Sequence, residues 1–202
     1  MFDAKFRPLI DRGLNPIGHW LARFGITANH VTIIGAIFGL MAFIFIAAGL
    51  PLIGLWMIIL NRLADGLDGA VARACGQTDF GGYLDLVVDF IFYSAIPLAF
   101  AIADSDQAIA ACFLCVSFMS TASSFLGVAI LAAKHSITTD VYGKKLFYYV
   151  GGLTEGSETF LVFCAMALWP EYFAYLAWGF GLLCWVTTAT RIHIAYSMFT
   201  TR

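Results

Sequence analysis

The sequence predicts an all-α integral membrane protein, with six transmembrane helices preceded by an N-terminal amphipathic interfacial helix. Three observations carry that prediction. Of 202 residues, 61% are hydrophobic and 12% charged, which leaves too little polar surface for a soluble domain. Six successive stretches approach the roughly 20 apolar residues that cross a bilayer, and the basic residues gather at alternate connections.

Residues 1–28 come first. Phe2, Phe6, Leu9, Ile10, Leu14, Ile17, Trp20, Leu21 and Phe24 recur near a helical period, interspersed with Lys5, Arg7, Arg12 and Arg23, the pattern of a helix lying on a membrane surface. No small-residue cleavage pattern follows, so the segment reads as retained. Asn15 and Pro16 are expected to break or bend it.

Residues 29–202 form the six-helix domain, with spans expected at 31–49, 51–74, 81–103, 107–133, 145–168 and 171–197. Pro51, the acidic Asp104 and Asp106, and Pro170 with Glu171 mark three connections that contain no Lys or Arg. The opposite side carries the N-terminal basic residues, Arg73, Lys134, Lys144, Lys145 and Arg202. The positive-inside rule then puts both termini in the cytoplasm, as an even number of spans requires. Gly35 and Gly39, a GxxxG, and Gly127 permit close helix approach within the chain or across a homodimer.

A net charge of -2 without any run of Lys and Arg excludes nucleic acid as a partner. The five cysteines are scattered mostly among apolar neighbours, the Cys112-x-x-Cys115 pair lacks nearby His or acidic ligands, and all five read as small buried hydrophobes. His19, His30, His135 and His193 are isolated and read as interfacial hydrogen-bonding residues.

Four aspartates stand apart. An ionised side chain at a helix centre costs at least ~2.5 kcal/mol on insertion scales, yet spans two and three carry Asp65, Asp68, Asp85 and Asp89. The first pair is three residues apart and the second four, so each shares a helical face. An antiparallel hairpin through 74–80 lets the pairs converge near the cytoplasmic end. Carboxylates select hard cations, Mg2+ or Mn2+ among them, and two such ions cancel four negative charges. Gly69, Ala72 and Gly81 keep the facing helices bare, and Arg73 adds a fixed positive charge, as a phosphate-rich ligand requires. The competing readings are structural ion pairs with Arg62 and Arg73, or the ion path of a metal-ion transporter.

From Asp65 to Asp89 the chain reads DGLDGAVARACGQTDFGGYLDLVVD. Every fixed position of DxxDGxxARxxxxxxxGxxxDxxxD is filled, so the stretch resembles the signature of the CDP-alcohol phosphotransferase (CDP-alcohol phosphatidyltransferase) family. LNRLADGLDGAVAR and FYYVGGLTEGSET are similar to a small bacterial branch of it. Asn29, in ITANHVT, matches a family asparagine, although the usual preceding proline is Ala28.

The resemblance implies transfer of a substituted phosphate from CDP-diacylglycerol to an alcohol in phospholipid biosynthesis, with release of CMP, in the bacterial inner membrane. Asp65, Asp68 and Asp85 would hold one or two metals on the pyrophosphate, with Asp89 assisting and serving as general base. Asn29, Asp68, Gly69, Ala72, Arg73 and Gly81 would contact the nucleotide. Lys134, Lys144, Lys145, Glu155, Glu158 and Arg191 are candidates for the acceptor. Glycerol 3-phosphate is the expected alcohol, with inositol-type or amino alcohols, or a CDP-alcohol donor with a lipid acceptor, as alternatives.

Overall fold

The computed structural model describes residues 3–135 and 152–200, with side chains from Arg12 onward. Among these residues the secondary structure is entirely helical. The helices are α1 Asp3–Arg23, α2 Ala28–Ala47, α3 Pro51–Cys75, α4 Asp79–Ala103, α5 Ala108–Lys134, α6 Gly156–Leu168 and α7 Phe173–Thr200. By length and composition four segments can cross a membrane, Ala28–Ala47, Asp79–Ala103, Ser105–Lys134 and Pro170–Thr200. Helix α3 is 25 residues long but carries Arg62, Asp65, Asp68 and Arg73, whose charges dilute its hydropathy.

Helix α1 runs without interruption through Asn15 and Pro16, contrary to the expected break. Tertiary packing overrides the proline's local cost: Gly18 is buried so closely on Ala70 of α3 that an added Cβ would sit 2.7 Å from its backbone carbon. Leu14 abuts Gly66 on the same side, while Ile17, Trp20 and Phe24 face outward. The helix stops at Gly25, whose φ of 75° suits a glycine after a helix end. At the start of α2, the Thr27 backbone N–H donates to Nδ1 of His30 at 3.2 Å.

Pro51 at the first turn opens α3, where its missing N–H has no helical partner to lose. Gly76, at φ 96°, closes it. Thr78 then caps α4, its Oγ1 accepting from the Gly81 backbone N–H at 3.0 Å. Only residues 76–78 separate the two helices, which makes the hairpin tighter than the expected 74–80.

The GxxxG face is used inside the chain. A Cβ at Gly35 would lie 3.2 Å from Ala64, and one at Gly39 would lie 3.1 Å from the Phe92 ring. Helix α2 therefore seats directly on α3 and α4, whereas Gly127 has open space around it. Away from the aspartates, Ile46, Ile58, Phe92, Ile96, Phe100, Leu114, Phe163, Met166 and Phe173 form the buried core.

The expected span at 145–168 is not one helix in its described part. Residues 152–155 are non-helical, and α6 begins at Gly156. Glu155 is its N-cap, and the Glu158 carboxylate accepts from the Glu155 backbone N–H at 3.2 Å. A reciprocal cap of this kind starts a helix and does not continue one.

Candidate active site

Three of the four aspartates meet. One carboxylate oxygen from each of Asp65, Asp85 and Asp89 lies within 4.8 Å of the others. Ligands across a hard cation, each about 2.0–2.6 Å from it, span a comparable distance, so this all-oxygen set fits Mg2+ or Mn2+. Asp68 lines the same small void but is otherwise engaged, its Oδ2 accepting the Thr32 hydroxyl at 2.8 Å. The helical spacing places it on the shared face, and α2 supplies the partner.

Arg62 lies among these carboxylates. Its Nη2 donates to Oδ1 of Asp89 at 2.6 Å, and its Nη1 sits 3.7 Å from Oδ2 of Asp65. Nε donates to Oδ1 of Asn61 at 2.8 Å, and Nη1 to the Tyr93 hydroxyl at 3.2 Å. The guanidinium carbon lies 4.7 Å from the Phe92 ring centroid, a cation–π distance. Asn61 is itself fixed, its Nδ2 donating to the Gly35 carbonyl at 2.8 Å. The ion-pair reading of Arg62 is thus part of the geometry, although one arginine offsets only one of four negative charges.

The residues expected to face a nucleotide gather at one end of the hairpin. The Asn29 Oδ1 would lie 3.0 Å from a Cβ at Gly81, and Nη1 of Arg73 would lie 3.4 Å from one at Gly69. Arg73 also donates through Nη2 to Oδ1 of Asn15 at 2.9 Å, which ties α1 to the site. Ala72 is half-buried on the same helix.

The acceptor candidates separate. Lys134 ends α5 in an exposed position, and Lys144 and Lys145 lie outside the described residues. Glu158 serves the α6 cap. Arg191 and Glu155 line a second cavity of about 500 Å³ that also touches Tyr93. There Arg191 is 8% exposed, its Nη1 donating to the Thr121 carbonyl at 3.0 Å. All five cysteines are free.

Arg62, Asn61, Thr32, Tyr93 and Asn15 were not expected as site residues. Arg62 carried a signal, being one turn before Asp65 on the same face. Thr32 stands one turn after Asn29 and Tyr93 one turn after Asp89, whereas Asn15 is brought in by packing alone.

Residues 25–192 match the family model for CDP-alcohol phosphatidyltransferase. The chain belongs to that family. As a CDP-alcohol phosphatidyltransferase it is a transferase and a membrane protein. It is 47% identical over 197 residues to the inner membrane protein YnjF of Escherichia coli, covering 97% of this chain and 96% of that one. It is also 38% identical over 101 residues to an archaetidylinositol phosphate synthase of Pyrococcus horikoshii, covering 49% of this chain and 53% of the relative. In fold it is similar to the crystal structure of Mycobacterium tuberculosis phosphatidylinositol phosphate synthase (PgsA1) with CDP-DAG bound. That match has a TM-score of 0.73 at 24% identity and covers 92% of this chain and 94% of the other. The same enzyme in complex with manganese and citrate matches with a TM-score of 0.70.

Proposed function

We propose that this phosphatidyltransferase moves a phosphatidyl group from CDP-diacylglycerol to a phosphorylated polyol of the inositol phosphate kind, releasing CMP. The observation that carries the reading is the convergence of Asp65, Asp85 and Asp89 beside the bare, cationic end of the α3–α4 hairpin. The donor reading is supported by the CDP-DAG in the M. tuberculosis structure. The names of that enzyme and of the archaeal relative favour an inositol-type acceptor over the glycerol 3-phosphate expected from the sequence.

In this reading Asp65, Asp68, Asp85 and Asp89 hold a divalent cation, Mg2+ or Mn2+, and the manganese complex of the fold relative supports that choice. When bound, the ion neutralises charge on the pyrophosphate and the departing CMP. Asn29, Asp68, Gly69, Ala72, Arg73 and Gly81 receive the cytidine phosphate, the glycines by leaving room and Arg73 by charge. Asp89 accepts the acceptor's hydroxyl proton as that oxygen bonds to the lipid-side phosphorus and the bond to CMP breaks. Since Arg62 occupies its Oδ1, the proton goes to the other oxygen. Arg191 and Glu155 bind the acceptor's phosphate and hydroxyls.

The wider architecture follows the same reading. Residues 1–28 lie on the cytoplasmic face of the bacterial inner membrane, as the outward Ile17, Trp20 and Phe24 support. Residues 29–202 form the six-span domain with both termini cytoplasmic. The exposed face around Gly127 pairs two copies as a homodimer.

The test uses purified protein in lipid nanodiscs with Mg2+ or Mn2+, CDP-diacylglycerol and a panel of alcohols. Released CMP is measured and the lipid product identified by mass. Inositol phosphate is expected to give the fastest turnover. Faster turnover with glycerol 3-phosphate would refute the acceptor assignment, and no CMP with any alcohol would refute the donor.

A further inference from the structure

We propose that Thr187 is a positioning residue for the acceptor, its hydroxyl pinning residues 152–155 against α7 so that Glu155 stays in the cavity that Arg191 lines. This rests on the acceptor reading of that cavity, and it concerns what holds the site together, which that reading leaves open.

The first argument is where the chain leaves helical structure. Residues 152–155 are non-helical, yet Thr154 is buried, and they pack on Thr187, which stands near the middle of α7 and is 1% exposed. Helix α7 belongs to one of the four segments able to cross a membrane. Away from water, backbone outside a helix persists only where it is buried in protein or lines a cavity. Thr187 meets the polar demand of this segment. Its Oγ1 accepts from the Leu153 backbone N–H at 3.2 Å and from the Thr154 hydroxyl at 3.1 Å, filling both acceptor positions of the oxygen. Residue 152 is fitted to the same contact, since a Cβ on Gly152 would overlap the Thr187 methyl.

The second argument is what the pin holds. Glu155 is the next residue, and its carbonyl accepts the backbone N–H and the hydroxyl of Thr159 at 3.0 and 2.9 Å, so the pinned segment passes directly into α6. Thr154, Glu155, Gly156 and Thr159 all line the cavity of about 500 Å³. Arg191, which lines it too, stands one turn beyond Thr187 on the same face of α7. Between them Thr188 lies 3.0 Å from the Ser120 hydroxyl of α5, and Arg191 donates to the Thr121 carbonyl. A single stretch of α7 therefore fixes α5 through Thr188 and Arg191 and the approach to α6 through Thr187.

The experiment follows CMP release in nanodiscs with Mg2+, varying inositol phosphate at fixed CDP-diacylglycerol and then the reverse, for the wild type, Thr187→Val, Thr187→Ser, Gly152→Ala and Arg191→Gln. Thr187→Val keeps the shape and removes the oxygen, so KM for inositol phosphate should rise about tenfold while kcat and the donor KM stay within about twofold, as expected for a lost buried acceptor remote from the reacting atoms. Thr187→Ser keeps the oxygen and should stay near the wild type, and Gly152→Ala, which pushes the segment off Thr187, should raise the same KM as Thr187→Val does. Equal effects on both substrates, or a rise in Thr187→Ser as large as in Thr187→Val, would reduce Thr187 to packing and overturn the proposal. If Arg191→Gln raises KM for inositol phosphate and Thr187→Val does not, the proposal falls and the acceptor reading stands. If Arg191→Gln leaves that KM unchanged, the acceptor reading falls and takes the proposal with it. Should Thr187→Val fail to fold, Gly152→Ala decides, an unchanged KM for inositol phosphate overturning the proposal.

Discussion

Among the described residues, Arg62 and Arg191 are both embedded, and their surroundings differ. Arg62 sits against Asp89 and Asp65, beside a void of about 10 Å³. Arg191 donates to a backbone carbonyl, lies 5.6 Å from the Phe125 ring centroid, and lines a cavity of about 500 Å³. The first has carboxylates supplied by the protein itself. The second lines its larger cavity together with Glu155. Arg62 is tied into the carboxylate cluster, whereas Arg191 also borders open space. Tyr93 borders both regions, accepting from Arg62 and lining the larger cavity, which puts that cavity next to the carboxylates.

Substitutions can break or sharpen that contrast. The largest effect is expected from Asp89→Asn, with CMP release falling about 10²–10⁴-fold, the range lost with a general base. Donor affinity measured by CDP-diacylglycerol titration should be nearly unchanged, and retained turnover would remove Asp89 from the chemistry. Next comes Asp65→Asn, for which a loss of about 10²–10³-fold is expected in line with lost electrostatic stabilisation. Here Mn2+ affinity should fall in parallel, a coupling that Asp89→Asn should show more weakly.

On the other side of the contrast, Arg191→Gln should raise KM for a phosphorylated acceptor by about 10–100-fold, the equivalent of one or two charge-assisted hydrogen bonds. KM for the donor should stay within twofold. Equal effects on both substrates would mean that the larger cavity does not distinguish them. The smallest effects concern packing. Gly39→Val would press on Phe92 and Asn61 and should destabilise by about 1–3 kcal/mol, read as a lower thermal midpoint in detergent. Gly127→Ala, with open space around it, should stay within about 0.5 kcal/mol.

Legibility from sequence varied by residue for physical reasons. Asp65, Asp68, Asp85 and Asp89 were conspicuous because charge in an apolar helix is costly, and their spacing put each pair on one face. Their convergence followed from the short hairpin. Which aspartate meets which partner was hidden, because Asp68 is diverted by Thr32 from a different helix. Of the break or bend expected at Asn15 and Pro16, the break does not occur, local propensity there being outweighed by the contact of Gly18 with Ala70. The fifth span was misread for the opposite reason: an apolar run looked helical throughout, but Glu155 and Glu158 cap a helix start within it.

By itself the sequence determined the helical membrane character, the chemical type of the site and the family, because hydrophobic length, charge cost and motif spacing are local properties of the chain. Only the tertiary structure decided that Gly35 and Gly39 pack inward, that Arg62 sits among the carboxylates, and that Arg191 and Glu155 share a separate cavity. Those facts depend on which helices become neighbours, and residues distant in sequence acquire a chemical relation only when packing brings their side chains within a few ångströms.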